Sequence, residues 1–116
     1  MAQFEPGDDL VFQLESGYAL MRLLGIGGDG DVFHVAVYGD FFPDVESAEA
    51  ATADLSSISV NSPHLALTAR AFESTQVAQI AHVPLTAAEM ERLDAYQNDA
   101  DIEVSDRSVR LMLGIR

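Results

Sequence analysis

The stretch GIGGDGDV, residues 25–32, is the first place where residue types and spacing suggest chemistry. It matches the Gly-x-Gly-x-x-Gly-x-Val loop that closes over the phosphates of ATP in protein kinases. The chain has no lysine to pair with phosphate, however, and Asp29 and Asp31 would repel it. A dinucleotide-binding loop must open a helix, whereas these glycines precede DVFHVAVY, which alternates like a strand. The stretch is predicted to be a hairpin turn whose glycines supply positive φ angles.

Three histidines are the next candidates for chemistry. None is paired at the spacing of zinc ligands on one strand or one helix. His34 lies in the middle of a strand pattern and is predicted to be a satisfied, half-buried side chain. His64 and His82 each lie near a proline at a strand edge, and only the fold decides whether they converge.

Other signatures of catalysis or cation binding are incomplete. Asp29-Gly30-Asp31 lacks the remaining ligands of a calcium-binding EF-hand loop. No Gly-x-Ser-x-Gly elbow presents a nucleophilic serine. The acid pairs at residues 8–9 and at 99 and 101 fall at the ends of predicted elements, where acids are usually solvated. We therefore predict no catalytic residue, no metal and no cofactor, and a protein that is not an enzyme.

The charge balance is the strongest feature of the composition. Nineteen acids face six bases, all arginine, for a formal net charge of −13. Residues 1–69 hold eleven of the acids and only Arg22. Binding to nucleic acid or to an anionic membrane is unfavourable for such a surface, because phosphate selects basic proteins. A basic protein partner is favoured electrostatically, and the alternative is that the acidity serves solubility.

Length and cysteine content bound the class of protein. The 116 residues are expected to form a single domain, 1–116, with 48% hydrophobic residues for its core. No cysteine is present, so disulfides and thiol chemistry are excluded. The sequence shows no signal peptide and no apolar run long enough to cross a bilayer. A cytoplasmic location is predicted.

Periodicity predicts a sheet in the first third of the chain. Residues 9–15, 18–26 and 31–39 alternate with period two and are separated by turn residues. In the second of them, Arg22 lies on the same side as Leu20 and Leu24, with Met21 on the other side. Three antiparallel strands are expected here.

The rest of the chain mixes helices and strands. A short helix is predicted near 45–54 with Asp44 as its N-cap. One or two short strands are predicted around 58–60 and 65–68, with a break at 61–63. Residues 75–83 form another candidate strand. Thr86 and Glu89 form a capping box that predicts a helix over 86–98. Residues 109–115 alternate as a final strand. The predicted class is α+β, a bent antiparallel sheet or small SH3-like barrel with one or two packed helices.

One acidic segment combines charge with adjacent aromatic residues. Phe41 and Phe42 lie in the most acidic part of the chain, and consecutive residues of a strand cannot both point inward. This geometry leaves two interpretations: one phenylalanine is an exposed anchor for a basic protein, or both close the open end of the sheet. The predicted partner-binding residues are Asp40, Phe41, Phe42, Asp44, Glu46 and Glu49.

The first segment of the chain also carries a resemblance. PGDDLVFQLESGYALMRLLGI, residues 6–26, resembles the first hairpin of small SH3-like barrels, and among these it is most similar to the immunity protein 26 type. Those are bacterial proteins thought to neutralise a partner toxin. HLALTARAFEST and VPLTAAEMERLDAY follow the same layout. The resemblance implies a small barrel and a toxin-neutralising role, and it assigns no individual functional residue.

Together these observations predict a non-enzymatic, acidic binding protein of bacterial type that docks a basic protein partner, and the resemblance implies that this partner is a toxin. Two alternatives stay open. One is a small-ligand or enzymatic domain with a pocket at the barrel mouth, using His64 or His82, which would require ionisable side chains to converge in a concave site. The other is a homo-oligomer that pairs the C-terminal strand, residues 107–115, with its copy.

Overall fold

The computed structural model describes residues 4–14, 17–27, 30–98, 104–106 and 109. Within them, six strands form one open sheet in the order β5-β1-β2-β3-β4-β6. All neighbours are antiparallel except β4 and β6, which are parallel. The strands are β1 (Asp8–Leu14), β2 (Gly17–Gly27), β3 (Val32–Phe42), β4 (Val60–Thr68), β5 (Ala78–His82) and β6 (Val104–Ser105). The helices are α1 (Val45–Ala51), α2 (Ala69–Thr75) and α3 (Ala87–Gln97), with a 3-10 segment at Thr52–Ser57.

The sheet buries side chains on both faces. Alternate residues of β1, β2 and β3 pack with α2 on one face, which we call face A. Face A is built from Leu10, Phe12, Met21, Val35, Val37, Phe72 and Val109, among others. The residues between them pack with α1 on the opposite face, face B, which contains Val11, Leu20, Tyr38, Ala48 and Ile58. Period-two patterning explains this arrangement, since successive side chains of a strand point to opposite faces.

The glycine-rich stretch is the turn between β2 and β3. These strands pair up to Gly27 and Val32, and Gly30 in the turn has φ of 91°. Only glycine adopts that conformation without a steric penalty from Cβ. The prediction of a hairpin in place of a phosphate-binding loop is therefore confirmed in the described part of the stretch.

Both predicted helices are present and begin at the predicted caps. The side chain of Asp44 accepts a hydrogen bond from the N–H of Ser47 at the start of α1. Thr86 and Glu89 form a complete capping box at the start of α3. Helix α2 was not predicted, because its seven residues are too few for a clear helical period.

Three sequence predictions need correction or restriction. The α+β class is confirmed, but the sheet is open, so a closed barrel is not confirmed. The predicted break at residues 61–63 is wrong, since β4 runs through it with a register shift. The predicted C-terminal strand lies outside the described residues except for Val109, which has helical backbone and is buried on face A. In the described part of the chain, no helix is long and apolar enough to span a membrane.

Candidate functional site

The two phenylalanines of the predicted anchor point to opposite faces of the sheet. Phe41 pairs with Ala19 and is 56% exposed, on face A. Phe42 pairs with Tyr18 and packs on face B. The expectation that one of the two is exposed is met by Phe41. Phe42 instead helps to close the core under α1.

The predicted steering acids lie next to Phe41 in sequence, but those of α1 belong to face B. Asp44, Glu46 and Glu49 are exposed at and along α1. The hydrogen bond from Ser47 lowers the pKa of Asp44, so this carboxylate is charged and also caps the helix. Asp40 is half-buried, and its carboxylate accepts a long hydrogen bond of 3.4 Å from the N–H of Ser59. The structure therefore groups the acids around the end of β3, with the exposed aromatic ring on the other face.

A buried arginine, Arg22, joins three parts of the chain. The sequence analysis assigned it no function. Arg22 on β2 is 1% exposed and forms ion pairs with Asp9 of β1 at 3.0 Å and with Glu89 of α3 at 2.7 Å. Its remaining N–H groups donate to backbone carbonyls, those of Gly7, Val83 and Pro84. All five donors of the guanidinium are thus used inside the protein. Arg22 is consequently a fixed structural link between the sheet and α3.

The two carboxylates that pair with Arg22 have pKa values shifted in opposite directions. Burial raises the pKa of Asp9, whose Oδ2 has no hydrogen-bond partner. Burial also opposes ionisation of Glu89, but hydrogen bonds from Arg22 and from Thr86 outweigh it and lower the pKa of Glu89. The difference follows from exposure, because Glu89 is 14% exposed and Asp9 only 1%. Desolvation penalises the charged form most where no water reaches it.

A cleft of about 540 Å³ opens beside this arginine, between α3 and the sheet. Burial raises the pKa of Tyr38 in its wall to about 12, so the phenol is neutral at physiological pH. Arg92, on α3, is the exposed cation at this cleft. The other residues that line it are Arg22, Thr52, Ala53, Asp54, Val60, Val83, Thr86 and Glu89. Ionisable and apolar groups therefore meet in a concave site.

Two of the histidines form a pair that supports α3. Nδ1 of His34 lies 2.7 Å from Nε2 of His64, and the ring of His64 stacks on Tyr96 with centroids 3.8 Å apart. The register shift in β4 falls beside His64, as is common where a bulge redirects a side chain. Burial lowers the pKa of His34. Burial also lowers the pKa of His64, and repulsion from a protonated His34 ring adds to this effect, so that the pKa of His64 is about 4. The pair is therefore neutral near pH 7.

The third histidine lies elsewhere, so His64 and His82 do not converge. His82 is on β5, which is separated from β4 by three strands. Its Nδ1 lies 2.7 Å from Oδ1 of the buried Asp8 and 3.6 Å from Oε1 of Glu5. These three side chains place their ligand atoms within 4.8 Å of one another. Within the described residues, these three side chains form the group whose donor atoms could hold a metal ion.

Sequence reasoning missed this group because no local pattern contains it. Asp8 and His82 are 74 positions apart and meet only because β1 pairs with β5. The sequence does contain a signal for Arg22, because this residue is the one charged position in an otherwise apolar predicted strand and the chain has no lysine. Comparison of the chain with protein-family models, with curated proteins and with solved structures found no match.

Proposed function

We propose that this chain is a non-enzymatic, acidic binding protein that docks a basic protein partner around the end of β3. A partner of the toxin class, neutralised in a bacterial cytoplasm, fits the resemblance of residues 6–26 to the immunity protein 26 type. Phe41 would be the anchor, with Asp40, Asp44, Glu46 and Glu49 as the steering acids. Phe42 would hold the end of the sheet beneath them.

The observation that carries the proposal is the charge of the described surface. Of the three arginines in the described residues, Arg22 is buried and fully hydrogen-bonded. Arg70 and Arg92 are exposed, and Arg70 pairs with Asp106 at 3.1 Å. Ten acidic side chains are exposed in the same part of the chain. They are Glu5, Asp31, Asp44, Glu46, Glu49, Asp54, Glu73, Glu91, Asp94 and Asp106.

The separation of Phe41 from the α1 acids across the sheet is compatible with this docking. At about 0.01 M salt the Debye length is about 30 Å, as against about 10 Å at 0.1 M. At low salt, charges on α1 therefore act on a cation that approaches the Phe41 side. Steering by such charges raises the association rate, while burial of an aromatic anchor supplies the affinity.

Affinity capture tests the proposal. The immobilised chain is exposed to lysate of its own organism at low salt, and retained proteins are eluted by a salt step and identified by mass spectrometry. We expect one basic protein, released steeply by salt and retained much less by F41S. M90S is the matched control, because Met90 is 53% exposed and lies on α3. Equal retention by F41S and wild type would reject Phe41 as the anchor.

The cleft between α3 and the sheet favours a second candidate function, the binding of a small ligand. Its apolar wall, Val60 and Val83, faces ionisable groups that include Tyr38 and Arg92, as expected of ligand sites. A ligand-observed NMR screen tests this function. Ligands of the cleft should be displaced in V60W, which fills it, and retained in the surface variant V104W. Hits that bind V60W as well as wild type would exclude the cleft.

A further inference from the structure

A histidine and two carboxylates converge where β1 and β5 pair. Asp8 and His82 are partners in the strand register, and Glu5 lies in the turn that leads into β1. Their closest atoms are separated by 2.7 Å, from His82 Nδ1 to Asp8 Oδ1, and by 3.6 Å, from His82 Nδ1 to Glu5 Oε1. Two ligands bound at about 2.0 Å with tetrahedral geometry lie about 3.3 Å apart. The two distances from His82 Nδ1 lie on either side of this value, and all three ligand atoms lie within 4.8 Å of one another, so side-chain adjustment can bring them around one ion.

The carboxylate at the centre of the group is buried and has no arginine partner in the described part of the chain. Asp8 is 1% exposed, and it accepts hydrogen bonds from the N–H of Glu5, from Nε2 of Gln79 and from His82. None of the arginines in the described residues forms an ion pair with it. Its neighbour Asp9, equally buried, has Arg22. A buried charge is costly unless it is paired as well as hydrogen-bonded, and Asp8 is hydrogen-bonded but has no arginine partner among the described residues.

We propose that Glu5, Asp8 and His82 bind a divalent transition-metal ion such as Zn²⁺ or Co²⁺. One imidazole nitrogen and two carboxylate oxygens suit these ions better than Ca²⁺ or Mg²⁺, which take oxygen ligands alone. A cleft of about 370 Å³, lined by Phe4, Glu5, Asp8 and Gln79, leaves room for water or an exogenous ligand on the ion. The site is independent of the proposed docking of a basic protein.

Metal binding requires a change of tautomer at His82. Without metal, the short contact to the carboxylate of Asp8 is a hydrogen bond in which Nδ1–H donates. The metal needs the lone pair of Nδ1. With metal at Nδ1, the remaining ring proton must therefore lie on Nε2, and Nδ1 exchanges its hydrogen bond for the metal bond. This change is specific to a metal at Nδ1.

Titration of the tag-free chain with Co²⁺ and Zn²⁺ tests the site, by visible absorbance and by calorimetry respectively. We expect one equivalent to bind, with at least a tenfold loss of affinity in E5Q and a larger loss in H82Q. H64Q is the matched control, since it removes a histidine on another strand, and it should bind as wild type does. Circular dichroism of each variant separates loss of the site from loss of the fold.

Nitrogen-correlated NMR of the histidine rings supplies the second readout. His82 should be protonated on Nδ1 before the metal is added and on Nε2 afterwards. The proposal is overturned if wild type binds neither ion at millimolar concentration, if H82Q binds as wild type does, or if the tautomer of His82 stays unchanged. Equal affinity for Ca²⁺ would overturn the assignment to a transition metal.

Discussion

Replacing Arg22 by methionine is the perturbation that best tests how the sheet and α3 are held together. Methionine keeps much of the length of the arginine side chain and fills the same space without charge. It leaves Asp9 buried with no cation and with its Oδ2 already unpartnered. It also removes the donors to the carbonyls of Gly7, Val83 and Pro84.

The expected cost follows from this burial. Removing one partner of a buried ion pair costs about 3–5 kcal/mol, because the other charge stays buried and uncompensated. A domain of this size has a total stability of about 5–15 kcal/mol. R22M should therefore lose a large part of the free energy of unfolding. The cost should shrink as the pH falls towards 4, since Asp9, whose pKa burial already raises, then takes up a proton.

Urea unfolding followed by circular dichroism measures the effect in a chain without tryptophan. With a slope of about 1–3 kcal/mol per molar urea, the midpoint of R22M should fall by at least about 1 M. The double variant D9N/R22M removes the orphaned charge and should recover part of the loss. A loss below about 1 kcal/mol in R22M, or no recovery in D9N/R22M, would refute the reasoning, since exposed ion pairs contribute only that much.

Three further predictions concern the contacts of α3. Because the pKa of folded His64 is about 4 against 6.5 for the free ring, the unfolded chain takes up a proton that the folded chain does not. Stability should therefore be complete above pH 6.5 and fall by about 1–3 kcal/mol on the way down to pH 4. Urea unfolding measured at several pH values should show a weaker dependence of stability on pH in H64Q than in wild type, and an unchanged dependence would contradict the assignment. T86A should cost about 1 kcal/mol of stability, as loss of an N-cap does. E89A should cost about 2–4 kcal/mol, since Glu89 also pairs with Arg22. Equal urea midpoints for T86A and E89A would argue against the dual role of Glu89. A Cβ at Gly25 would lie 2.7 Å from Cδ2 of Leu93, the end of a flexible and partly exposed side chain. Because Leu93 can move aside, G25A should cost no more than about 1 kcal/mol, and a larger loss in a thermal melt would show that Leu93 is held in place.

Local rules were sufficient for much of the fold. Period-two alternation identified β1, β2 and β3, and cap chemistry at Asp44 and Thr86 located the starts of α1 and α3. The opposite orientation of Phe41 and Phe42 also followed from strand geometry alone. These features depend on residues close together in sequence, so the sequence carries their signal directly.

Long-range pairing accounts for what the sequence analysis missed. The contact of Asp8 with His82 depends on β5 returning beside β1, and the pair of His34 and His64 depends on a register shift in β4. Helix α2 is set by the contacts of Ala71 and Phe72 in face A more than by its own short pattern. Tertiary contacts of this kind leave no periodic pattern in the sequence, and neither does the strand order that leaves the sheet open.

The most direct test of acidic docking is the capture experiment with two charge variants beside wild type. One is D40N/D44N/E46Q/E49Q, in which asparagine preserves the cap of α1. The other is D31N/E73Q/E91Q/D94N, which removes the same charge elsewhere on the exposed surface. We predict that the first variant loses most of the basic partner at low salt and that the second retains most of it. Equal retention by both variants would contradict docking around the end of β3.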